Sequence, residues 1–108
     1  MKEIEILGTV YQFIVENEEL ERQNLDGACL CYTKKIQIRP AEKMLGLYDT
    51  MEEKQSRFRE VLRHELIHAM FFESGLGDYC DDETLVDWLA KMFPKLAELF
   101  QEEGCLSC

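Results

Sequence analysis

A long segment without helix-breaking residues is the feature that most constrains the fold. From Met51 to Ser74 the sequence has neither glycine nor proline, and its apolar residues recur at spacings of three and four, the period of an amphipathic helix. Gly75 and Gly77 follow directly and provide a plausible helix stop. The pattern is carried by Phe58, Val61, Leu62, Glu65, Ala69 and Phe72. We therefore predict one long helix over residues 51–74.

A second helix is predicted near the C-terminus. Asp81 and Asp82 offer an N-cap for it, and Pro94 is expected to kink the helix or to start a new segment. One apolar stripe runs along it through Leu85, Trp88, Leu89, Met92, Leu96, Leu99 and Phe100. Because such a stripe usually faces the protein interior, we expect it to lie in the core.

The N-terminal part of the chain has the pattern of β-strands. Residues 3–7 and 9–15 are rich in β-branched and aromatic residues and are separated by Gly8. Two further runs, 28–32 and 35–39, flank a short turn and predict a second hairpin. Strands followed by helices indicate an α+β fold, with a small antiparallel sheet of two hairpins packed on the long helix and the C-terminal helix.

Size and charge narrow the classes of function. The 108 residues fit a single domain over residues 1–108. With 22 acidic against 12 basic residues, the formal net charge is -10, which disfavours nucleic acid and anionic membranes as direct partners. The N-terminal residues lack the apolar region of a secretory signal, and the 5 cysteines are an odd set. We expect a cytoplasmic protein with reduced thiols.

The long helix contains a motif that carries chemistry, His64-Glu65-Leu66-Ile67-His68. Residues four apart lie on one helical face, so the two imidazoles can chelate one ion. Zinc is the natural occupant of such a site. Glu65 lies about 100° round the helix from His64, from where its side chain can reach a water bound to the metal.

Two histidines do not complete a metal site, so a third ligand is expected from another element. The candidate carboxylates are Asp78, Asp81, Asp82, Glu83 and Asp87. Glu83 and Asp87 are four apart and share one side of the second helix, and Glu83 borders its apolar arc. Carboxylates in a first helical turn are commonly solvated partners of the helix dipole, which is the alternative interpretation.

The His-Glu-x-x-His motif followed by Glu83-Thr84-Leu85-Val86-Asp87 resembles the gluzincin group of zinc metallopeptidases. The resemblance implies that Glu83 is the third zinc ligand and that Asp87 orients a ligating histidine. The compact order of strands, motif helix and carboxylate helix is similar to small metallopeptidases of the ImmA/IrrE type, which are encoded by phages and mobile elements. The segments 61–69 and 85–89 carry this likeness.

The resulting hypothesis is a hydrolase, a zinc metallopeptidase that cleaves a peptide bond in a protein substrate through a zinc-bound water activated by Glu65. The strand Lys35–Arg39 is our candidate for an edge strand along which the substrate lies. Tyr48, Arg63 and Tyr79 are candidate oxyanion donors. The alternative is a non-enzymatic zinc-binding regulatory protein of a mobile element. The substrate, any need for activation and the oligomeric state are not encoded in these patterns.

The cysteines leave one further alternative open. Cys105 and Cys108 have the spacing of half a zinc knuckle, and Cys29 and Cys31 could supply a second pair for a four-cysteine site. Otherwise we expect the tail to be a frayed end with exposed thiols. Cys80 receives no role from the sequence.

Overall fold

The computed structural model describes residues 2–108 and shows an α+β fold. The strands are β1 (Lys2–Ile6), β2 (Thr9–Val15), β3 (Gly27–Leu30) and β4 (Lys35–Ile38), and the helices are α1 (Glu18–Gln23), α2 (Met51–Glu73), α3 (Gly77–Cys80) and α4 (Glu83–Glu102). The predicted order of strands before long helices is confirmed. Among the helices of the described residues, none combines the length and apolar character that a bilayer-spanning segment requires.

The four strands form one mixed sheet in the order β1-β2-β4-β3. The two predicted hairpins are present as antiparallel pairs, but β2 and β4 run parallel, with Val15 opposite Ile38. A wholly antiparallel sheet is therefore the wrong prediction. The chain leaves β2, passes through α1 and returns at the far edge as β3, which brings β4 beside β2 in the same direction.

The strand order also corrects the predicted position of the substrate strand. Lys35–Arg39 was expected to lie at an edge, but β4 is bonded to β2 on one side and to β3 on the other. Both rows of its backbone groups are thus used within the sheet. The edges of the sheet are β1 and β3.

Helix α2 packs across the sheet and confirms the predicted long helix. Thr50 caps its N-terminus by accepting a hydrogen bond from the Glu53 amide at 3.1 Å. Val61 and Ala69 join Tyr11 and Ile36 in the core between helix and sheet. Because such a core excludes water from one face of α2, the residues on that face are held in fixed positions.

The last residue of α2 fastens the helix to the sheet. Glu73 accepts hydrogen bonds from Thr9 Oγ1 at 2.8 Å and from the Tyr11 hydroxyl and Lys34 Nζ, both at 2.6 Å. The bond from Lys34, with those from Tyr11 and Thr9, lowers the pKa of Glu73 to about 2. The carboxylate therefore stays ionised and sets the position of the helix end on the sheet.

Helix α4 begins where the sequence predicts, with Asp82 as N-cap accepting from the Leu85 amide at 3.1 Å. It continues through Pro94 to Glu102, so no new segment starts at the proline. Proline cannot donate the backbone hydrogen bond to the carbonyl four residues earlier. In α4 that carbonyl belongs to Ala90. Arg63 Nε, from α2, donates a hydrogen bond to it at 2.7 Å and so ties α4 to α2.

The predicted burial of the apolar stripe of α4 is confirmed for its first part, where Leu85 and Leu89 pack against the core, and is wrong for Trp88 and for the C-terminal part. The fully buried residues of α4 are Val86 and Ala90, whereas Trp88, Leu99 and Phe100 are about half exposed. Helical periodicity shows which residues share a face, but it does not show how far a partner extends along that face. Here the packing against α2 covers the first part of α4 alone.

Candidate metal centre

The middle of α2 presents the two histidines of the motif on one face, as their spacing requires. Their Nε2 atoms lie 3.1 Å apart, and the ring centroids are separated by 4.8 Å. Leucine and isoleucine between them turn toward other parts of the helix surface, where Ile67 is buried. The two Nε2 atoms thus point to a common position beside the helix.

Glu83, in the first turn of α4, completes a group of three donors. Its two carboxylate oxygens lie 3.1 Å from His64 Nε2 and 3.0 Å from His68 Nε2. Ligand atoms in a tetrahedral zinc site, with bonds of about 2.0 to 2.1 Å, are about 3.3 Å from one another. The spacing therefore suits one small cation, and we refer to His64, His68 and Glu83 as the donor cluster.

The second nitrogen of each imidazole is also engaged. His64 Nδ1 lies 2.8 Å from Asp87 Oδ1, and His68 Nδ1 is in close contact with the Cys80 carbonyl oxygen. A carboxylate and a carbonyl can only accept, so both Nδ1 atoms are assigned the hydrogen, and the Nε2 atoms of neutral rings then carry lone pairs.

Two lone pairs and a carboxylate consequently face one another across 3.0 to 3.1 Å. Three electron-rich groups repel at this separation unless a positive charge, either a proton or a metal ion, lies between them. Histidine ligands of metals usually donate their other N–H to a carboxylate or carbonyl. The donor cluster, with Asp87 and the Cys80 carbonyl behind it, could therefore hold a metal ion.

Glu65 lies next to the donor cluster without belonging to it. The residue is buried, with 7% of its surface exposed, and its Cγ atom would lie 3.2 Å from a Cβ placed on Gly27. Burial raises the pKa of Glu65 to about 8, and the nearby charges of Glu83 and Asp87 act in the same direction. A bound divalent cation acts in the opposite direction and favours the ionised carboxylate.

A cavity of about 940 Å³ connects these groups to the sheet edge. Its walls include the donor cluster, Glu65 and the β3 strand with the turn after it. The lining residues are Leu25, Gly27, Ala28, Cys29, Leu30, Cys31, Tyr32, Thr33, His64, Glu65, His68, Phe72, Gly77, Cys80, Asp81 and Glu83. The edge strand beside the site is therefore β3, which takes the position that we had predicted for Lys35–Arg39.

The other residues singled out from the sequence lie elsewhere. Asp82 caps α4, the Tyr48 hydroxyl donates to the Leu45 carbonyl at 2.9 Å, and Arg63 bonds the Ala90 carbonyl. Within residues 2–108, neither these side chains nor Tyr79 line the cavity. The structure thus offers none of the three predicted oxyanion donors at the donor cluster.

The four-cysteine alternative is not formed in the structure. Cys105 and Cys108 are exposed at the C-terminus, while Cys29 and Cys31 line the cavity. In the part of the chain that the structure describes, the donor cluster is the one group of three or more metal-ligating side chains that converges within 4.8 Å.

Three contributors to the site were missed by sequence reasoning. The Cys80 carbonyl is a backbone group, so no pattern of side chains in the sequence predicts its role. Gly27 receives no role in the site from the sequence, yet a Cβ there would lie 2.7 Å from Val61 Cγ1, which shows that β3 needs glycine to approach α2. The link from Arg63 to Ala90 could have been sought, because Pro94 leaves that carbonyl without its helical donor.

Comparisons of this chain with protein-family models, with curated proteins and with solved structures found no match.

Proposed function

We propose that this protein is a zinc-dependent metallopeptidase that resembles the gluzincins and the ImmA/IrrE type. The observation that carries the proposal is the convergence of His64, His68 and Glu83, with both imidazole Nδ1 atoms hydrogen-bonded behind them. Two imidazoles and one carboxylate are the ligand set of several catalytic zinc sites, which keep a fourth position open. When bound, zinc acidifies water and polarises a carbonyl group.

Glu65 is the residue that we propose as the proton carrier. Its carboxylate is buried on the cavity wall beside the donor cluster, from where it would accept a proton from the attacking water. It would then deliver that proton to the amine that leaves the cleaved peptide bond. This assignment requires Glu65 to be ionised at the start of the cycle, which a cation at the donor cluster favours.

The β3 strand supplies a place for the substrate backbone. It is an edge of the sheet, and residues 27–30 together with the following turn form one wall of the cavity. An extended peptide can add to such an edge through main-chain hydrogen bonds. We infer that a protein substrate lies along β3 with its scissile bond next to Glu65 and the donor cluster.

The test compares Glu65→Gln with the wild type and with Glu52→Gln, an exposed glutamate at the other end of α2. The zinc-loaded proteins are incubated with a panel of unfolded and repressor-like proteins, and new termini are counted by mass spectrometry. Glu65→Gln should retain zinc but lose hydrolysis by roughly 10² to 10⁴-fold, the usual contribution of a general base. Glu52→Gln should behave as the wild type does.

Two outcomes would contradict the proposal. Undiminished cleavage by the Glu65→Gln protein would exclude Glu65 as the base. A zinc-loaded wild type that cleaves no member of the panel would favour the alternative, a non-enzymatic zinc-binding regulator, in which Glu65→Gln leaves partner binding unchanged.

A further inference from the structure

Three thiols lie close together on the cavity wall, next to the donor cluster. Cys31 Sγ lies 3.4 Å from Cys29 Sγ and 3.9 Å from Cys80 Sγ. All three residues line the cavity. We call them the thiol cluster, and Cys31 is its central member.

The local structure explains why these thiols meet. Cys29 lies in β3 and Cys31 is the first residue of the turn that follows it. The turn brings the two sulfurs together, while Leu30 between them is exposed. Cys80 ends α3, where its Sγ lies 3.3 Å from the His68 carbonyl oxygen. Because the end of α3 contacts α2, Cys80 Sγ lies beside Cys31 at the edge of the sheet.

We propose that the thiol cluster is a second metal site, which binds a soft, thiophilic cation through Cys29, Cys31 and Cys80. Sulfur atoms in a tetrahedral thiolate site, with bonds of about 2.3 Å, are about 3.8 Å apart. The two distances from Cys31, 3.4 and 3.9 Å, are near this value. Among residues 2–108 the three sulfurs do not meet the 4.8 Å convergence of the donor cluster, so binding requires a cysteine side chain to rotate and close the Cys29–Cys80 distance. Binding releases the thiol protons to solvent.

The setting of Cys29 keeps its thiol protonated when no cation is bound. Burial raises the pKa of the Cys29 thiol, and the hydrogen bond and charge of Cys31 raise it further. Alkylation of the thiol cluster is therefore slow at neutral pH when no cation is bound, and a long incubation is needed to follow it. Thiolate ligands favour soft ions and also bind zinc, so Cd²⁺, which is softer than zinc, is the probe that distinguishes the thiol cluster from the imidazole and carboxylate donors.

The test uses Cd²⁺ as the probe on the full, reduced chain that has first received one equivalent of zinc. Cd²⁺ should produce the ultraviolet charge-transfer absorption of a sulfur-cadmium bond, saturating at one equivalent. Cys31→Ser should lose this absorption, while the matched control Cys105→Ser with Cys108→Ser should keep it. His64→Ala, which removes one donor of the proposed zinc site and leaves the contacts between His68 and Cys80 in place, should also keep it, so the result does not depend on the proposed zinc site.

A second measurement uses the wild type alone, so its result does not depend on whether Cys31→Ser folds. Wild-type protein is treated with iodoacetamide with and without Cd²⁺, and alkylation is mapped by mass spectrometry. Cd²⁺ should protect Cys29 and Cys31 and leave Cys105 and Cys108 reactive. The proposal would be overturned if alkylation were equal with and without Cd²⁺. It would also be overturned if Cys31→Ser retained the sulfur-cadmium absorption, or if that absorption disappeared only when Cys105 and Cys108 were replaced.

Discussion

The two long helices contribute to the donor cluster in different ways. The histidines come from the interior of the 23-residue α2, and their side chains are 19% and 10% exposed. Glu83 and Asp87 come from the first two turns of α4, with side chains 64% and 55% exposed. One half of the site is therefore fixed by core packing, and the other half is positioned by how α4 docks.

The docking of α4 on α2 is concentrated in the first half of α4, where Leu85 and Leu89 are partly buried beside two fully buried residues. Val86 and Ala90 are its fully buried residues, and Arg63 reaches from α2 to the Ala90 carbonyl. The rest of α4 is only partly covered. We therefore expect changes in α2 to abolish metal binding and changes in α4 to weaken it by amounts that reveal how α4 is held.

The largest effect is expected for the histidines. His68→Ala removes a ligand from the packed helix and also the group that contacts the Cys80 carbonyl, and His64→Ala removes the other ligand. Each variant should lose the zinc that the wild type retains after dialysis, measured by elemental analysis. Each should also lose the zinc-dependent rise in melting temperature, because binding stabilises only a folded site. Unchanged zinc content in both variants would refute the metal site.

The same contrast explains what the sequence could predict. His64 and His68 lie in one element, so helical geometry alone fixes their relation. The relation of Glu83 to them depends on the docking of α4, which spacing does not encode, and it was implied only by resemblance. The parallel pairing of β2 with β4 likewise depends on how the chain passes through α1. The buried part of α4 depends on how far α2 extends beside it.

A smaller effect is expected for the carboxylates of α4. Glu83→Ala should weaken zinc affinity much more than Asp82→Ala, because Asp82 caps the helix and does not face the histidines. Asp82→Ala should instead lower stability by about 1 kcal/mol through loss of the cap. Asp87→Asn should reduce zinc affinity by roughly 10 to 100-fold, since it alters the partner of His64 Nδ1. Competition with a fluorescent chelator measures all three affinities.

These three affinities decide whether Glu83 binds the metal directly or whether the first turn of α4 only positions other groups. Equal losses for Glu83→Ala and Asp82→Ala would mean that the first turn of α4 contributes position and no ligand. A structure of the zinc-bound protein with Asp81 or Asp82 on the metal and Glu83 in solvent would contradict the assignment directly.

The smallest effect concerns the contact that holds α4 at the proline. Pro94 leaves the Ala90 carbonyl without a helical donor, Ala90 is buried, and Arg63 Nε supplies the missing hydrogen bond at 2.7 Å. Arg63→Ala should therefore lower the free energy of unfolding by about 1 to 3 kcal/mol, the cost of a buried polar group without a partner. Arg59→Ala, on an exposed position one turn earlier, is the matched control and should change stability by about 0.5 kcal/mol or less.

A double-mutant cycle separates this cause from a general loss of packing by the arginine. In Pro94→Ala the amide of residue 94 can bond the Ala90 carbonyl, so the helix no longer needs the donor from α2. Arg63→Ala should then cost less in the Pro94→Ala background than in the wild type, with a coupling energy within the range of about 0.5 to 3 kcal/mol found for contacting residues. Urea unfolding of the four proteins measures it. A coupling energy of zero would show that the arginine does not replace the missing amide, and that α4 is held on α2 by the burial of Val86 and Ala90 alone.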